Sequence, residues 1–234
     1  MSDRKIAFWF IALLSVLVLV PFLGETIFYS KGEPREAIVA YTMLESGNWI
    51  LPMNYGVEIA YKPPFLYWTI AVISSVLGGV SEFSARMPSA LAFLAMQLVF
   101  FSFVAKRKDV KTAFLTSILL LSSFEVHRAA VACRLDMLQV SLIVISLCLL
   151  FRWDEKNCKG IPWLAVLLMA CATLTKGRSV PSFLAWVSVC ISYCADVRSE
   201  RLSFRCWVSD CYPSFLWASG FGRLISKAGN RLSI

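Results

Sequence analysis

FLYWTIAVISSVLGGV, residues 65–80, is the stretch whose reading decides the architecture of this chain. It is apolar, but its sixteen residues fall short of the roughly 20 that a membrane-spanning helix needs. Pro63 and Pro64 precede it, Tyr67 and Trp68 stand at its start, and Gly78-Gly79 close it. A short, aromatic-tipped, glycine-ended segment suits a helix lying at the headgroup level rather than across the bilayer.

Outward from it, five more apolar runs compete as spans: residues 6–23, 89–105, 112–124, 137–151 and 161–174. Hydrophobic residues make up 58% of the chain and the mean hydropathy is +0.68, which excludes a soluble domain and implies an integral membrane protein. A basic start and an apolar run are also features of a signal peptide. Here Pro21-Phe22-Leu23 leads into Gly24-Glu25-Thr26 with no small-residue cleavage site, so residues 6–23 are read as an uncleaved anchor.

The net charge is +8, and the cations stand in short clusters between apolar runs. That pattern encodes topology, so no nucleic-acid partner is expected. If all six runs cross from a cytoplasmic N-terminus, Lys106-Arg107-Lys108 and Lys111 fall outside. With residues 65–80 in the interface, Arg4, Lys5, the 106–111 cluster, Arg152, Lys156 and Lys159 all face the cytoplasm, as the positive-inside rule prefers. Glu33, Arg35, Lys62, Arg86, Arg128, Arg134, Asp136 and Lys176 then gather at the outer face. Ionisable groups at membrane depth are costly, and their gathering on one side implies a shared site.

The loop before residues 65–80 carries that charge. Pro34 suits the first helical position and Glu33 the cap, Ala37, Ile38, Tyr41 and Leu44 recur at helical spacing, and Gly47 ends the run, giving a helix over 34–46. Asn48-Trp49-Ile50-Leu51-Pro52 reads as extended, as does the entry at Lys62-Pro63-Pro64. A helix N-terminus flanked by Arg35 and Lys62 can hold a phosphate, and a carboxylate beside it can remove an acceptor's proton. Spacing alone favours a plainer reading of Glu33, as a helix cap. The eight cysteines show no C-x-x-C spacing, so neither a disulfide framework nor a zinc site is read, and Cys133, Cys148 and Cys171 lie in apolar runs as small hydrophobes. His127, the sole histidine, stands at a span end. No metal requirement and no cofactor are expected.

Four blocks in order carry a resemblance: Gly32-Glu33-Pro34-Arg35-Glu36-Ala37; Met43-Leu44-Glu45-Ser46-Gly47-Asn48-Trp49-Ile50-Leu51-Pro52; Tyr61-Lys62-Pro63-Pro64 with Tyr67-Trp68; and Arg134-Leu135-Asp136-Met137 with Leu174-Thr175-Lys176-Gly177. Over residues 1–177 the chain resembles membrane glycosyltransferases that use polyprenyl-phosphate sugars, the protein O-mannosyltransferase superfamily and within it the aminoarabinose transferases of lipid A. That resemblance implies an all-α integral membrane fold of GT-C type, a transmembrane helix bundle with interfacial helices in the first outer loop. It implies transfer of a sugar from an undecaprenyl-phosphate donor to a lipid A-like glycolipid or a protein, with inversion, at the outer face of a bacterial inner membrane. The family's outer loop bears an acidic pair followed by Arg-Tyr. Here Gly32 replaces the first acid and Glu36 the Tyr, leaving Glu33 as the loop acid, with Glu36 able to share its task. Asp136 matches the acid of the second outer loop, and Arg86 opens the next span. Glu33 and Asp136 are the expected catalytic acids. Arg35, Glu36, Lys62, Arg86 and Lys176 are the expected contacts to the lipid phosphate or sugar.

After Gly177 the pattern changes. Arg178-Ser179-Val180-Pro181 stands where an apolar helix would continue, and the rest is rich in Ser, Arg, Cys and Trp. A truncated or frameshifted product is the expectation for residues 178–234, and a divergent terminus with a span over 183–193 the alternative. Two other functions stay open beside glycosyl transfer: a lipid-phosphate transporter or flippase fragment without catalysis, and an inactive remnant.

Overall fold

The computed structural model describes residues 3–25, 27–28, 30, 32–155 and 161–176. The chain divides after Gly177, so the readings placed on residues 178–234, and on Lys156 and Lys159, lie outside the described residues.

Apart from one small hairpin the described chain is helical. α1 (Asp3–Leu19) and the short α2 (Pro21–Gly24) form one apolar stretch of 22 residues. α3 (Gly32–Ser46) and the strands β1 (Met53–Asn54) and β2 (Glu58–Ile59) build the polar loop. Then come α4 (Phe65–Leu77), α5 (Glu82–Arg107), α6 (Val110–Ser122), α7 (Phe124–Ala130), α8 (Leu135–Asp154) and α9 (Trp163–Thr175). The α1–α2 stretch, α5 and α8 are long and apolar enough to cross a membrane, while α4, α6 and α9 are shorter apolar helices.

α5 is the centre of the bundle and packs against α1, α4, α6 and α8. Its Phe93 and Met96 sit in a buried cluster with Leu19, Leu23, Leu121 and Met137, and Phe101 packs with Ile11 and Ala113 further along. A polar contact crosses this apolar core. Ser15 Oγ donates to Gln97 Oε1 at 3.1 Å, and Gln97 Nε2 donates to the Ser117 carbonyl at 3.2 Å, which ties α1, α5 and α6 together. A buried amide is tolerated in such a place only because its partners are there.

The bundle has two chemically distinct ends, separated by the length of α5, about 39 Å at 1.5 Å per residue. At one end Arg4 Nη2 donates to the Ser102 carbonyl and Arg107 pairs with Glu155 at 2.6 Å. At the other lie the start of α5, the turn from α7 into α8, and α3. Helix α4 does not traverse between them. Its first turn sets Tyr67 beside Glu36, and near its far end Ser74 Oγ lies 2.9 Å from Ser84 Oγ at the start of α5. Both ends of α4 therefore sit at the same end of the bundle. Gly78, at φ 87°, closes the helix in the left-handed conformation that glycine supplies without strain.

Three local features depart from the sequence reading. α3 begins at Gly32, so Glu33 is inside the helix and its carboxylate turns into the bundle instead of capping. α5 begins at Glu82, about two turns ahead of the apolar run read from residue 89, because Ser81 and Ser84 form a reciprocal capping box. Pro88 thus lies within the helix, and Arg86 falls on its buried face. Finally, residues 53–59, which follow the segment read as extended and carried no reading of their own, form a hairpin that pairs Met53 with Ile59 and Asn54 with Glu58. Its turn holds Tyr55 at φ 54° and Gly56 at φ 71°, and Thr42 Oγ1 donates to the Met53 carbonyl at 2.6 Å, which fixes the hairpin to α3.

Candidate functional site

The expected site residues meet as three charge groupings at one end of the bundle. The innermost is Glu33 with Arg86. Glu33 is 3% exposed and Arg86 1%. Arg86 Nε lies 3.4 Å from Glu33 Oε1, and the same oxygen accepts from the Cys133 backbone N–H at 2.9 Å. Arg86 also donates through Nη1 to the Leu23 carbonyl at 3.1 Å and through Nη2 to the Ile27 carbonyl at 3.2 Å. Its guanidinium lies over the Phe28 ring, 5.2 Å from the centroid. The Arg86–Glu33 pair thus joins the end of α2, the loop behind it, α3 and the α7–α8 turn. The planar fork of donors suits this crossing, and a point-like ammonium would not satisfy it.

The second grouping is Glu36, Arg35 and Lys62. Helical spacing turns Glu36 inward, where it is 1% exposed, and Lys62 Nζ reaches its Oε1 at 2.5 Å from the segment leading into α4. Arg35 Nη2 approaches the same oxygen at 3.6 Å. The two cations are 44% and 37% exposed, so the carboxylate is buried while both of its partners reach the surface. Glu36 Oε2 meets no donor at close hydrogen-bond geometry, and the Tyr67 phenol is a further neighbour of the carboxylate. Arg35, Lys62 and Tyr67 wall a small cleft together with Val39, Asn54, Ala60 and Tyr61. Asn54 contributes a second buried acceptor, Oδ1, that lacks a partner.

The third is Asp136 with Lys176. Asp136 opens α8 in its first turn, where helical amides favour negative charge. Its Oδ1 meets Lys176 Nζ at the end of α9 at 3.1 Å, with both side chains 54% exposed. Solvent screening makes such a pair weak and exchangeable.

Cys133 lies among the first two groupings. Burial foremost, then the charges of Glu36 and Glu33, push its thiol well above the usual range, against the smaller opposing influence of Arg86 and Lys62. Burial and the Glu36 carboxylate likewise raise the Tyr67 phenol. Both groups stay protonated and neutral at physiological pH. Tyr67 reads in the sequence as an interfacial aromatic and as part of a family block but not as a site residue, and Asn54 is not singled out, because a polar turn residue has an ordinary structural explanation. Cys133 read only as a small hydrophobe. The Tyr61-Lys62-Pro63-Pro64 block was the available signal for the cleft. Arg128 pairs with its near neighbour Glu125 at 2.6 Å on the surface, and Arg134 caps α8 with its backbone. His127 packs edge-on against Phe22. Among the described residues no three His, Cys, Asp or Glu side chains gather as a metal site.

Comparison with known proteins agrees with this architecture. The chain is 35% identical over 167 residues to the undecaprenyl phosphate-alpha-4-amino-4-deoxy-L-arabinose arabinosyl transferase of Shewanella sediminis, an alignment covering 69% of this chain and 30% of that protein. It is 31% identical over 189 residues to a second such transferase from Pseudomonas fluorescens, covering 76% of this chain and 33% of that protein. The fold is shared with the crystal structures of ArnT from Cupriavidus metallidurans. The undecaprenyl phosphate-bound form superimposes with a TM-score of 0.66 at 21% identity, over 81% of this chain and 36% of that one. The apo form gives 0.64 at 22% identity, over 79% and 36%. The chain thus spans about a third of the length of these relatives. The fold is a helical membrane bundle of GT-C type, representing its N-terminal part. Residues 61–202 match the dolichyl-phosphate-mannose-protein mannosyltransferases, and the chain belongs to that family of glycosyltransferases.

Proposed function

We propose that this chain is the donor-binding part of a membrane enzyme that transfers a sugar from an undecaprenyl-phosphate carrier to a lipid A-like glycolipid or a protein hydroxyl. Its site faces the periplasm and its N-terminus the cytoplasm. The observation that carries the reading is the convergence of Arg35 and Lys62, from two separate elements, on one buried carboxylate beside a cleft. Two half-exposed cations at the end of a membrane bundle suit a lipid phosphate lying at headgroup depth, with its polyprenyl chain in the bilayer. The names of the similar proteins support the choice of undecaprenyl phosphate.

In this account the residues divide by task. Arg35 and Lys62 neutralise the phosphate as the glycosidic bond breaks. Asp136 is the exposed acid and takes the acceptor hydroxyl's proton while the acceptor oxygen attacks the anomeric carbon from the opposite side, with inversion. Lys176 pairs with the Asp136 carboxylate through a screened contact that the arriving acceptor can displace. Glu33 and Arg86 have their donors and acceptors engaged in the bundle, and serve by fixing α3 against the α7–α8 turn. A transporter would spread its cations over several depths, whereas these gather at one end.

The test is transfer of labelled sugar from the polyprenyl donor, measured with this chain and with a full-length relative altered at the matching position. Asp136→Asn is expected to lower kcat by about 10²–10⁴-fold, the usual contribution of a general base. Full activity in that variant would remove Asp136 from the chemistry.

A further inference from the structure

We infer that Glu36 sets the charge of the cleft at +1, which matches the phosphodiester of a sugar donor and promotes release of the polyprenyl phosphate left after transfer. This rests on the reading of Arg35 and Lys62 as the phosphate contacts.

The charges facing the cleft are few. Arg35 and Lys62 line it and contribute two positive charges, and Glu36, buried behind them and paired with both, contributes one negative charge, leaving +1. Glu33 and Arg86 form a neutral pair behind them, and the remaining walls, Val39, Asn54, Ala60, Tyr61 and Tyr67, carry no charge. A polyprenyl-phosphate sugar is a diester with one negative charge. On transfer, the acceptor oxygen bonds to the anomeric carbon and the bond from that carbon to the bridging phosphate oxygen breaks. The electron pair stays on that oxygen and the acceptor's proton goes to the base. The remaining lipid is a monoester of charge about −1.5 to −2 at pH 7. A cleft of +2 would hold this product more tightly than the substrate it must admit next. With Glu36 present, the diester is neutralised and the monoester leaves an excess negative charge.

The geometry separates this role from a packing role. Glu36 engages both cations through one oxygen, Oε1, with the Tyr67 phenol as a further neighbour of its carboxylate, so its negative charge offsets the two cations directly. Both cations reach the surface and remain able to meet a ligand, unlike the enclosed Arg86.

The experiment is direct binding, by native mass spectrometry or fluorescence titration, of two probes to the 234-residue chain in phosphatidylcholine nanodiscs. One probe is undecaprenyl phosphate and the other an undecaprenyl-phosphoryl sugar. Glu36→Gln is expected to tighten the monoester about tenfold and the diester only about threefold, because Coulombic free energy scales with ligand charge. Arg35→Gln, at a half-exposed position where the fold is not at stake, is expected to weaken the monoester more than the diester. An equal change for both probes in both variants, or weaker monoester binding in Glu36→Gln, would overturn the inference while leaving the phosphate contacts in place. Failure of the parent chain to bind either probe would overturn the underlying reading and the inference with it.

Discussion

The two loop acids, three residues apart, have different surroundings, and the difference explains what each can do. Glu33 accepts from Arg86 and from a backbone amide in a place closed to solvent, and the role proposed for it is structural. Removing one partner of a buried ion pair costs about 3–5 kcal/mol because the other charge is left uncompensated. Glu33→Gln is therefore expected to lower the thermal midpoint sharply and to reduce folded yield, whereas Asp136→Asn leaves both unchanged. Equal thermal midpoints for Glu33→Gln and the parent would contradict the role given to the pair. Cys133 offers an independent check on the same region. Its thiol is pushed up by burial and by two carboxylates, so the reactive thiolate stays scarce. A maleimide at pH 8 should modify Cys133 only after unfolding, and rapid modification of the folded protein would show that the region is open. The linked stability term has a definite sign: it is present below the ordinary thiol pKa near 8.5 and is lost as pH rises beyond it. Sequence patterning pointed to all seven charged residues of these groupings through their motifs. It did not show which acid faced which cation, because helical spacing gives a residue's direction but not the neighbour waiting there.

Helix α4 shows what an element's composition can and cannot reveal. Its length, its aromatic start and its glycine end marked it as interfacial, and both of its ends meet the same end of the bundle. The start of α5 was less legible. Pro88 resembles a first-turn proline, and the Ser81–Ser84 capping box that moves the helix start to Glu82 is written in two serines indistinguishable from loop residues. The hairpin was not legible in the sequence at all, since its two-residue strands are too short to show alternation. The orientation proposed for α4 can be tested by labelling single cysteines in a background without the others. Glu58→Cys in the hairpin should react with an impermeant thiol reagent applied from the periplasmic side, and Lys108→Cys after α5 should not. Labelling of Lys108→Cys from that side would mean that α4 crosses the bilayer.

At the scale of the whole molecule, the described bundle carries cations at both ends, and only one end is assigned a ligand. Arg4, Lys106 and Arg152 belong to the end where α5 and α8 finish, while Arg35, Lys62 and Lys176 belong to the end where α8 begins and α9 finishes. The positive-inside rule explains the first set by topology alone, and the account gives the second set chemistry. The fold class was legible because apolar runs and their charged borders are a one-dimensional signal. The cleft was not, because it exists only where α3, the hairpin and α4 come together. The two sets of cations can be compared directly. Undecaprenyl phosphate binding is measured for the parent chain, for the Arg35→Gln/Lys62→Gln pair, and for the Lys106→Gln/Arg152→Gln pair. The account predicts a loss of at least about a hundredfold in the first pair, in keeping with two charge-assisted contacts of roughly 1.5–3 kcal/mol each, and binding within about twofold of the parent in the second. Equal losses in the two pairs, or retained affinity in the first, would contradict it.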